Sequence, residues 1–485
     1  MPTPEQIETQ MEFERNQIKE GIEKLRANTK KLEDKSYASA TAYGSSSIAE
    51  LLPHMVRHLR ETSDRITKRH NGRLFKELKD YIFSVDYEVT ALITLKTVFD
   101  QVFSNREKAD FAINVSTAIG QHIEDECQMM YYEDNYPGLY NFIKKKYWHN
   151  AKGTSSKVVA TQTLMHRLDD VIEWKRWDSK VKLQLGGWLL DAVLQISGWF
   201  KKTLYRDGKK TILRIAPTEE FMRVQHQIMD IAEVYSPLKL PMLIEPKDWE
   251  AIHEGGGYYL NQIRQNCPMV RRGKPSLLQG AKPIAALNKI QRTSYKLNEF
   301  VADVAEILEE RRYKVGKFVP IQPLELPPKP IDIAENYDSR KDYRRRAAEA
   351  HDEAAQSFKK SCRTRMTMEV MKKFRKFDKW FIPHSFDYRG RLYPIPSFLT
   401  QQDTDFGKSL LLFYEGAELT DEAKQWLQFD VATKYGLDKS PLHERLQWAT
   451  NNEDLIHAIA TDPIGYLSEW EAADESWQFL AACDE

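Results

Sequence analysis

Asp387, Arg389, Gly390, Arg391, Tyr393 and Lys408 share one stretch, residues 386–413, and are of types that handle nucleic acid. Arginine presents a planar fork of N–H donors that matches phosphate oxygens. Gly390 stands between two arginines and permits a tight turn or the close approach of another backbone. Tyr388 and Tyr393 add aromatic faces, and Asp387 is placed to orient one guanidinium. Pro394 and Pro396 then end the local structure, because proline lacks a backbone donor. Together these residues predict a compact phosphate-and-base surface. The same residues would also make an ordinary exposed turn.

The order D-Y-R-G-R-L-Y-P, a loop, then D-F-G-K-S-L-L-L-F resembles the phage-type single-subunit DNA-directed RNA polymerases and their mitochondrial relatives. That family carries Asp-x-x-Gly-Arg followed by an aromatic residue, then a Gly-or-Ala-(Lys/Arg)-x-Leu-Leu segment. Residues 288–298 (N-K-I-Q-R-T-S-Y-K-L-N) are similar to a further family segment, as are Pro246-Lys247-x-Trp249 with Gly255-Gly256-Gly257-Tyr258. Residues 88–97 and 118–126 also look like family segments, and all stand in the family's order. Tyr295 departs from a usual tryptophan, and Asp248 replaces a proline.

The resemblance implies a mainly α fold with small β elements. It implies a helical N-terminal promoter-binding and melting domain over residues 1–298, a helical thumb over 299–380, and the beginning of a right-hand palm over 381–485. It places Asp387, Arg389, Gly390, Arg391, Tyr393 and Lys408 against the template strand and the RNA–DNA hybrid.

Elements that must position these residues follow from the pattern. Residues 3–34 are polar and helix-forming, with Ile7, Met11, Phe13, Ile18, Ile22 and Leu25 as an imperfect apolar stripe. A Ser/Ala/Gly-rich loop over 36–47 precedes a helix that Ser46 or Ser47 caps. Lys68, Arg69 and Arg73 surround the turn signal Asn71-Gly72, a candidate contact to the DNA backbone. Helical patterns run from Leu74 to Ser197 with a break at Tyr136-Pro137-Gly138. The period then changes: Asp207-Gly208 reads as a two-residue hairpin turn between strand formers. In the family a hairpin at this place separates the strands of the promoter, which assigns that role to Arg206, Asp207, Gly208, Lys209 and Lys210. Residues 285–313 read as helical, 318–333 as a proline-rich connector, and 337–379 as a second helical arm.

Composition sets the class. Forty-one per cent apolar and 29 per cent charged is ordinary for a soluble chain of 485 residues. Net charge is zero, so the chain as a whole is no obvious polyanion binder. Its charge is nevertheless segregated, with 15 Lys/Arg against 7 Asp/Glu over residues 341–391 and 4 against 16 over 415–485. The four cysteines are dispersed without a C-x-x-C, which argues against structural zinc and a disulfide scaffold. Reduced thiols suit a cytoplasm; the resemblance implies that of a phage-infected host, in preference to a mitochondrion. No transit peptide is seen, nor a basic-then-apolar leader or a run of about 18 apolar residues, so no membrane partner is expected.

Nucleotidyl transfer needs metal ions held by carboxylates. Mg2+ is the ion expected for the complete enzyme, and none is expected on this chain. The family's catalytic aspartates correspond to positions after Glu485, where the pattern stops inside an apolar helix, as a truncated or split polymerase would. Asp403 and Asp405 form a D-x-D but align with a polar loop. The chain alone is therefore expected to be inactive. Expected partners are promoter DNA, the template strand, the RNA transcript and ribonucleoside triphosphates, with a C-terminal polymerase fragment as a further candidate. The alternative is a stand-alone, non-catalytic DNA-binding protein of the same fold.

Overall fold

The computed structural model of the chain describes residues 2–68, 78, 80–82, 84–148, 154–168, 172, 174–207, 210–250, 255–271 and 279–485. It is 63% helical with three small sheets among the described residues, so the mainly α expectation holds. Contacts divide it into two compact units, residues 21–236 and residues 1–20 with 237–485.

In the unit 21–236, amphipathic helices build one core. Apolar residues recur at helical spacing: Leu51, Met55 and Leu59 on α2 (Ala42–Lys68) and Leu95 and Phe99 on Tyr87–Val102. Val115, Ile119 and Ile123 do the same on Ala112–Asn135, as do Leu185, Leu189 and Val193 on Ser179–Ser197. The last two helices cross at glycines. A Cβ on Gly186 would stand 1.7 Å from the Ser116 carbonyl oxygen, and one on Gly120 2.1 Å from that of Lys182. Buried Glu124, one turn beyond Gly120, meets the Lys182 amine at 2.6 Å and accepts the backbone N–H of Trp177 at 2.7 Å. The family-like segment 118–126 is thus a helix-crossing device. α2 starts earlier than its serines suggest, because Thr41 Oγ1 accepts from Gly44 N at 3.0 Å and takes the capping role.

Strands β1 (Phe200–Asp207) and β2 (Lys210–Pro217) form the antiparallel hairpin anticipated from the change of period. Its register runs to the pair Asp207 and Lys210, the last of the ladder.

The other unit holds two cores. One gathers Val301, Ala305 and Leu308 of Glu299–Glu310, Met371 and Phe374 of Cys362–Phe374, and Trp477 and Leu480 of Ser476–Asp484. The other gathers Met242, Trp249, Tyr258, Met269, Val270, Leu287, Phe386 and Ile395. Within 285–313 the helical expectation fails at β3 (Ser294–Leu297). Here β4 (Trp380–Phe381) and β7 (Leu411–Phe413) flank β3, and these distant partners supply the ladder bonds that override local propensity.

The helix α1 (Pro4–Asp34) lays Phe13 and Ile18 of its expected stripe against the cores, yet buries other residues more completely. Its fully buried positions in 1–20 are polar: Gln10, Glu14 and Gln17. Gln17 Oε1 accepts from Leu240 N at 3.1 Å, Gln10 Oε1 from Leu243 N at 2.8 Å, and Glu14 from Tyr259 N at 3.0 Å and Leu260 N at 2.6 Å. The backbone N–H groups of Leu240, Leu243, Tyr259 and Leu260 lie outside the strands, and side chains from α1 satisfy them. Burial raises the Glu14 carboxyl above its ordinary pKa, against these hydrogen bonds.

Candidate nucleic-acid interface

The stretch carrying the strongest sequence signal forms a second hairpin. Strands β5 (His384–Phe386) and β6 (Leu392–Pro394) pair with Phe386 opposite Leu392 and His384 opposite Pro394. Asp387 N donates to the Arg391 carbonyl at 2.9 Å and Gly390 N to that of Asp387 at 3.0 Å, which closes the loop. Gly390 sits at φ +79°, where a Cβ is penalised. The Asp387 carboxylate accepts the backbone N–H of Arg389 at 2.8 Å and of Arg391 at 2.9 Å. It therefore braces the loop backbone instead of orienting a guanidinium, as a short acceptor in a turn does.

That arrangement leaves both guanidiniums outward. Arg389 and Arg391 are exposed, and among the described residues neither forms an ion pair. Tyr388 is 67% exposed, with the Arg389 guanidinium 5.1 Å from its ring centroid. Two cationic forks and one aromatic face thus share a braced turn, a combination that can grip phosphates and stack a base.

The hairpin is held from below by a residue the sequence reading missed. Arg271 Nε donates to Ser385 Oγ at 2.9 Å on β5, and its guanidinium also donates to the Pro394 carbonyl on β6. Its Cζ lies 5.3 Å from the Tyr393 ring centroid, which places Tyr393 in the support. The main chain joins in: Phe386 N donates to Met269 O and Arg271 N to Phe386 O, both at 2.7 Å. No local spacing marks Arg271, because its partners lie more than a hundred residues on.

The other family-like segments form the frame. Asn288 brackets the Trp249 backbone, its Oδ1 accepting from N at 2.8 Å and its Nδ2 donating to O at 3.0 Å. Gln291 Nε2 donates to the Lys247 carbonyl at 2.9 Å, and Lys247 and Gly257 exchange backbone bonds of 2.8 Å. Trp249 Nε1 donates to the His384 carbonyl at 3.1 Å, tying the frame to β5. Burial lowers the His384 imidazole below its ordinary pKa, so it adds no charge near neutral pH.

Lys408 lies on the short helix Asp405–Ser409, half-buried, with no ion pair among the described residues. No hydrogen bond joins it to the hairpin. Gln402 makes that link, donating to the Leu392 carbonyl at 3.0 Å. Asp403 and Asp405 do not converge. Asp403 is buried and accepts from Arg363 Nε at 3.0 Å and Leu399 N at 3.0 Å. Asp405 accepts Trp477 N at 2.9 Å and Gln478 N at 3.1 Å, at the start of Ser476–Asp484. Both carboxylates are spent on structure, and their donor sets do not fit a divalent ion.

The remaining site residues belong to the unit 21–236. Lys68 ends α2, while Arg69 and Arg73 lie outside the described residues. Arg206 is exposed on β1 opposite Thr211, Asp207 and Lys210 close the ladder, and Gly208 and Lys209 lie outside the described residues. No described helix is long and apolar enough to cross a membrane.

Removing the Asp387 carboxylate tests the brace. Asp387→Ala leaves two backbone donors without their acceptor, a loss of about 1–2 kcal/mol. Amide hydrogen exchange of Arg389 and Arg391 is expected to accelerate about tenfold while the core amides stay protected. Unchanged exchange at both positions would show that the loop holds its shape without Asp387.

A braced turn with two exposed guanidiniums is chemically suited to phosphates, and sequence comparison gives the family. The family model described as DNA-directed RNA polymerase N-terminal matches residues 9–274, and that described as DNA-dependent RNA polymerase matches 417–485. The chain belongs to the phage-type single-subunit DNA-directed RNA polymerase family. It is 27% identical to the DNA-directed RNA polymerase of Enterobacteria phage K11, covering 83% of this chain and 46% of the relative. It is 26% identical to T7 RNA polymerase of Escherichia phage T7, covering 90% and 50%. With the mitochondrial DNA-directed RNA polymerase 1 of Arabidopsis thaliana identity is 21%, covering 81% and 45%. The chain spans about half the length of the curated relatives it matches.

Proposed function

We propose that this chain binds promoter DNA, opens it at the β1–β2 hairpin and holds the template strand and RNA–DNA hybrid at the β5–β6 hairpin, within a DNA-directed RNA polymerase. The observation that carries this reading is the pair of exposed, carboxylate-free guanidiniums of Arg389 and Arg391 on a loop braced by Asp387 and Arg271. Lys408 is assigned to the same nucleic-acid path, and Lys68, Arg69 and Arg73 to the promoter backbone. Arg206, Lys209 and Lys210 meet phosphates beside the separated strands, with Asp207 and Gly208 shaping that turn. Ribonucleoside triphosphates are the substrates of the whole reaction, which takes place in the cytoplasm of a phage-infected host. Mg2+ supplies its Lewis-acid chemistry when bound, and Asp403 and Asp405 are not its ligands.

Binding through phosphates is salt-dependent, because each contact releases condensed counterions. With about four contacts, affinity for duplex DNA is expected to fall about a hundredfold between about 50 and 200 mM salt. Fluorescence anisotropy of a labelled promoter-length duplex, titrated at both concentrations, measures this. Equal affinities would remove the electrostatic basis of the reading.

A further inference from the structure

A cavity of about 340 Å³ lies beside the β1–β2 hairpin, and no role assigned above uses it. Its walls come from the loop 102–111 and from Tyr205 and Arg214 of the hairpin. Two rings form its apolar part: buried Phe111 and 42% exposed Tyr205, with centroids 6.1 Å apart. Arg214 Cζ lies 4.9 Å from the Tyr205 centroid and 5.9 Å from that of Phe111. Its Nε donates to Asp110 at 2.7 Å, which fixes the guanidinium against the rings.

The loop is built rather than loose. Lys108 sits at φ +65°, a conformation that costs a residue with a side chain about 1–3 kcal/mol. Asn114 Nδ2 holds it by donating to the Lys108 carbonyl at 2.8 Å. Asn105 donates to Asp34 at 2.5 Å, and the Ser36 and Ser104 hydroxyls stand 2.7 Å apart. The charges sort themselves: Asp110 is taken by Arg214, and Glu107 lies 3.6 Å from the Lys108 amine. Arg106 is left exposed with no ion pair among the described residues.

A partly exposed ring backed by a fixed guanidinium, next to an unspent arginine, matches a nucleotide. The base stacks on the ring and the phosphate meets the cation. The volume falls at the small end of ligand pockets, which suits one nucleotide and not a duplex. We propose that this cavity captures one unpaired nucleotide of melted DNA, its base stacked on Tyr205 and its phosphate held by Arg106. This rests on the reading of β1–β2 as a strand-separating hairpin. Opening a pair costs stacking energy, and a second stacking surface beside the hairpin returns part of it.

The test uses the full 485-residue chain and DNA carrying a preformed unpaired bubble. The fluorescent base 2-aminopurine is placed at the bubble edge, in the template strand in one set and in the nontemplate strand in the other. Adding the parent protein is expected to quench one set, which names the strand captured. Tyr205→Phe keeps the quench. Tyr205→Ala restores the fluorescence and weakens bubble binding about tenfold, the value of one base stack. Arg106→Ala, an exposed change that leaves the fold intact, weakens binding by a similar factor. A thermal melt of each variant accompanies the titration. Equal quenching by parent and Tyr205→Ala, or no quenching of either strand, with folded protein and bound DNA, overturns the proposal. Fully paired DNA with the same probe separates the two ideas. If it never brightens while the bubble is quenched through Tyr205, the strand-separating role of the hairpin fails and the pocket stands.

Discussion

Replacing both exposed guanidiniums, in R389A/R391A, is expected to weaken binding of an RNA–DNA hybrid to this chain about a hundredfold at low salt. Each charge-assisted contact to a phosphate contributes about 1.5 kcal/mol or more, roughly tenfold, and the two face outward from one turn. Stability should barely change, because neither side chain forms an ion pair among the described residues and surface changes usually fall within about 0.5 kcal/mol. R389K/R391K should recover part of the affinity, since lysine keeps the charge and loses the planar fork. Gly390→Val should do worse than a single alanine substitution at either arginine. It forces a β-branched side chain into φ +79° and disturbs both arginines at once. The measurement is a hybrid-binding titration beside a thermal melt. If R389A/R391A bound hybrid like the parent, the hairpin would be a structural corner and the proposed function would lose its main support.

The largest effect on stability is expected at the helix crossing in residues 21–236. Gly186→Ala would put a methyl group 1.7 Å from the Ser116 carbonyl oxygen and 2.6 Å from its carbon, both backbone atoms. Neither can swing aside, so the two helices must part. Val115, Ile119 and Ile123 then lose packing against Leu185, Leu189 and Val193, in the same core. Overpacking of this kind costs about 3 kcal/mol or more, about 6–12 °C in Tm for a unit of this size. Gly187→Ala is the control on the neighbouring residue. Its Cβ would meet nothing nearer than Ser116 Oγ at 3.8 Å, and alanine favours a helix by up to about 1 kcal/mol. Circular dichroism melts of the two variants should therefore move in opposite directions. Parallel shifts would mean that the crossing tolerates a side chain and that Gly186 is incidental.

Local chemistry alone determined a good deal about this protein. The mainly α architecture follows from helical spacing, as in Leu51, Met55 and Leu59 or Leu185, Leu189 and Val193, because burying one face of a helix requires that period. A hairpin near residue 207 follows from Asp-Gly between strand formers, since few other residues accept such a turn. A basic, glycine-centred turn at 387–391 is legible too, because Gly390 and its neighbours satisfy each other within five residues.

Tertiary structure decided the rest, wherever a polar group finds its partner far along the chain. Propensity over 288–298 reads as helix, yet Tyr295 pairs with Trp380 and Phe413, whose strands supply its ladder. The expected apolar stripe of α1 packs at Phe13 and Ile18, yet the fully buried positions in 1–20 are Gln10, Glu14 and Gln17, whose side chains supply acceptors to the backbone of Leu240, Leu243, Tyr259 and Leu260. Asp403 and Asp405, adjacent in sequence pattern, are drawn apart by Arg363 and by the N-terminal amides of Ser476–Asp484. Arg271 carries no local signature, and only folding places its fork across Ser385 and Pro394. Side-chain type and short spacing reveal which groups can act. Hydrogen bonds closed across forty to more than two hundred residues decide which of them remain free to do so.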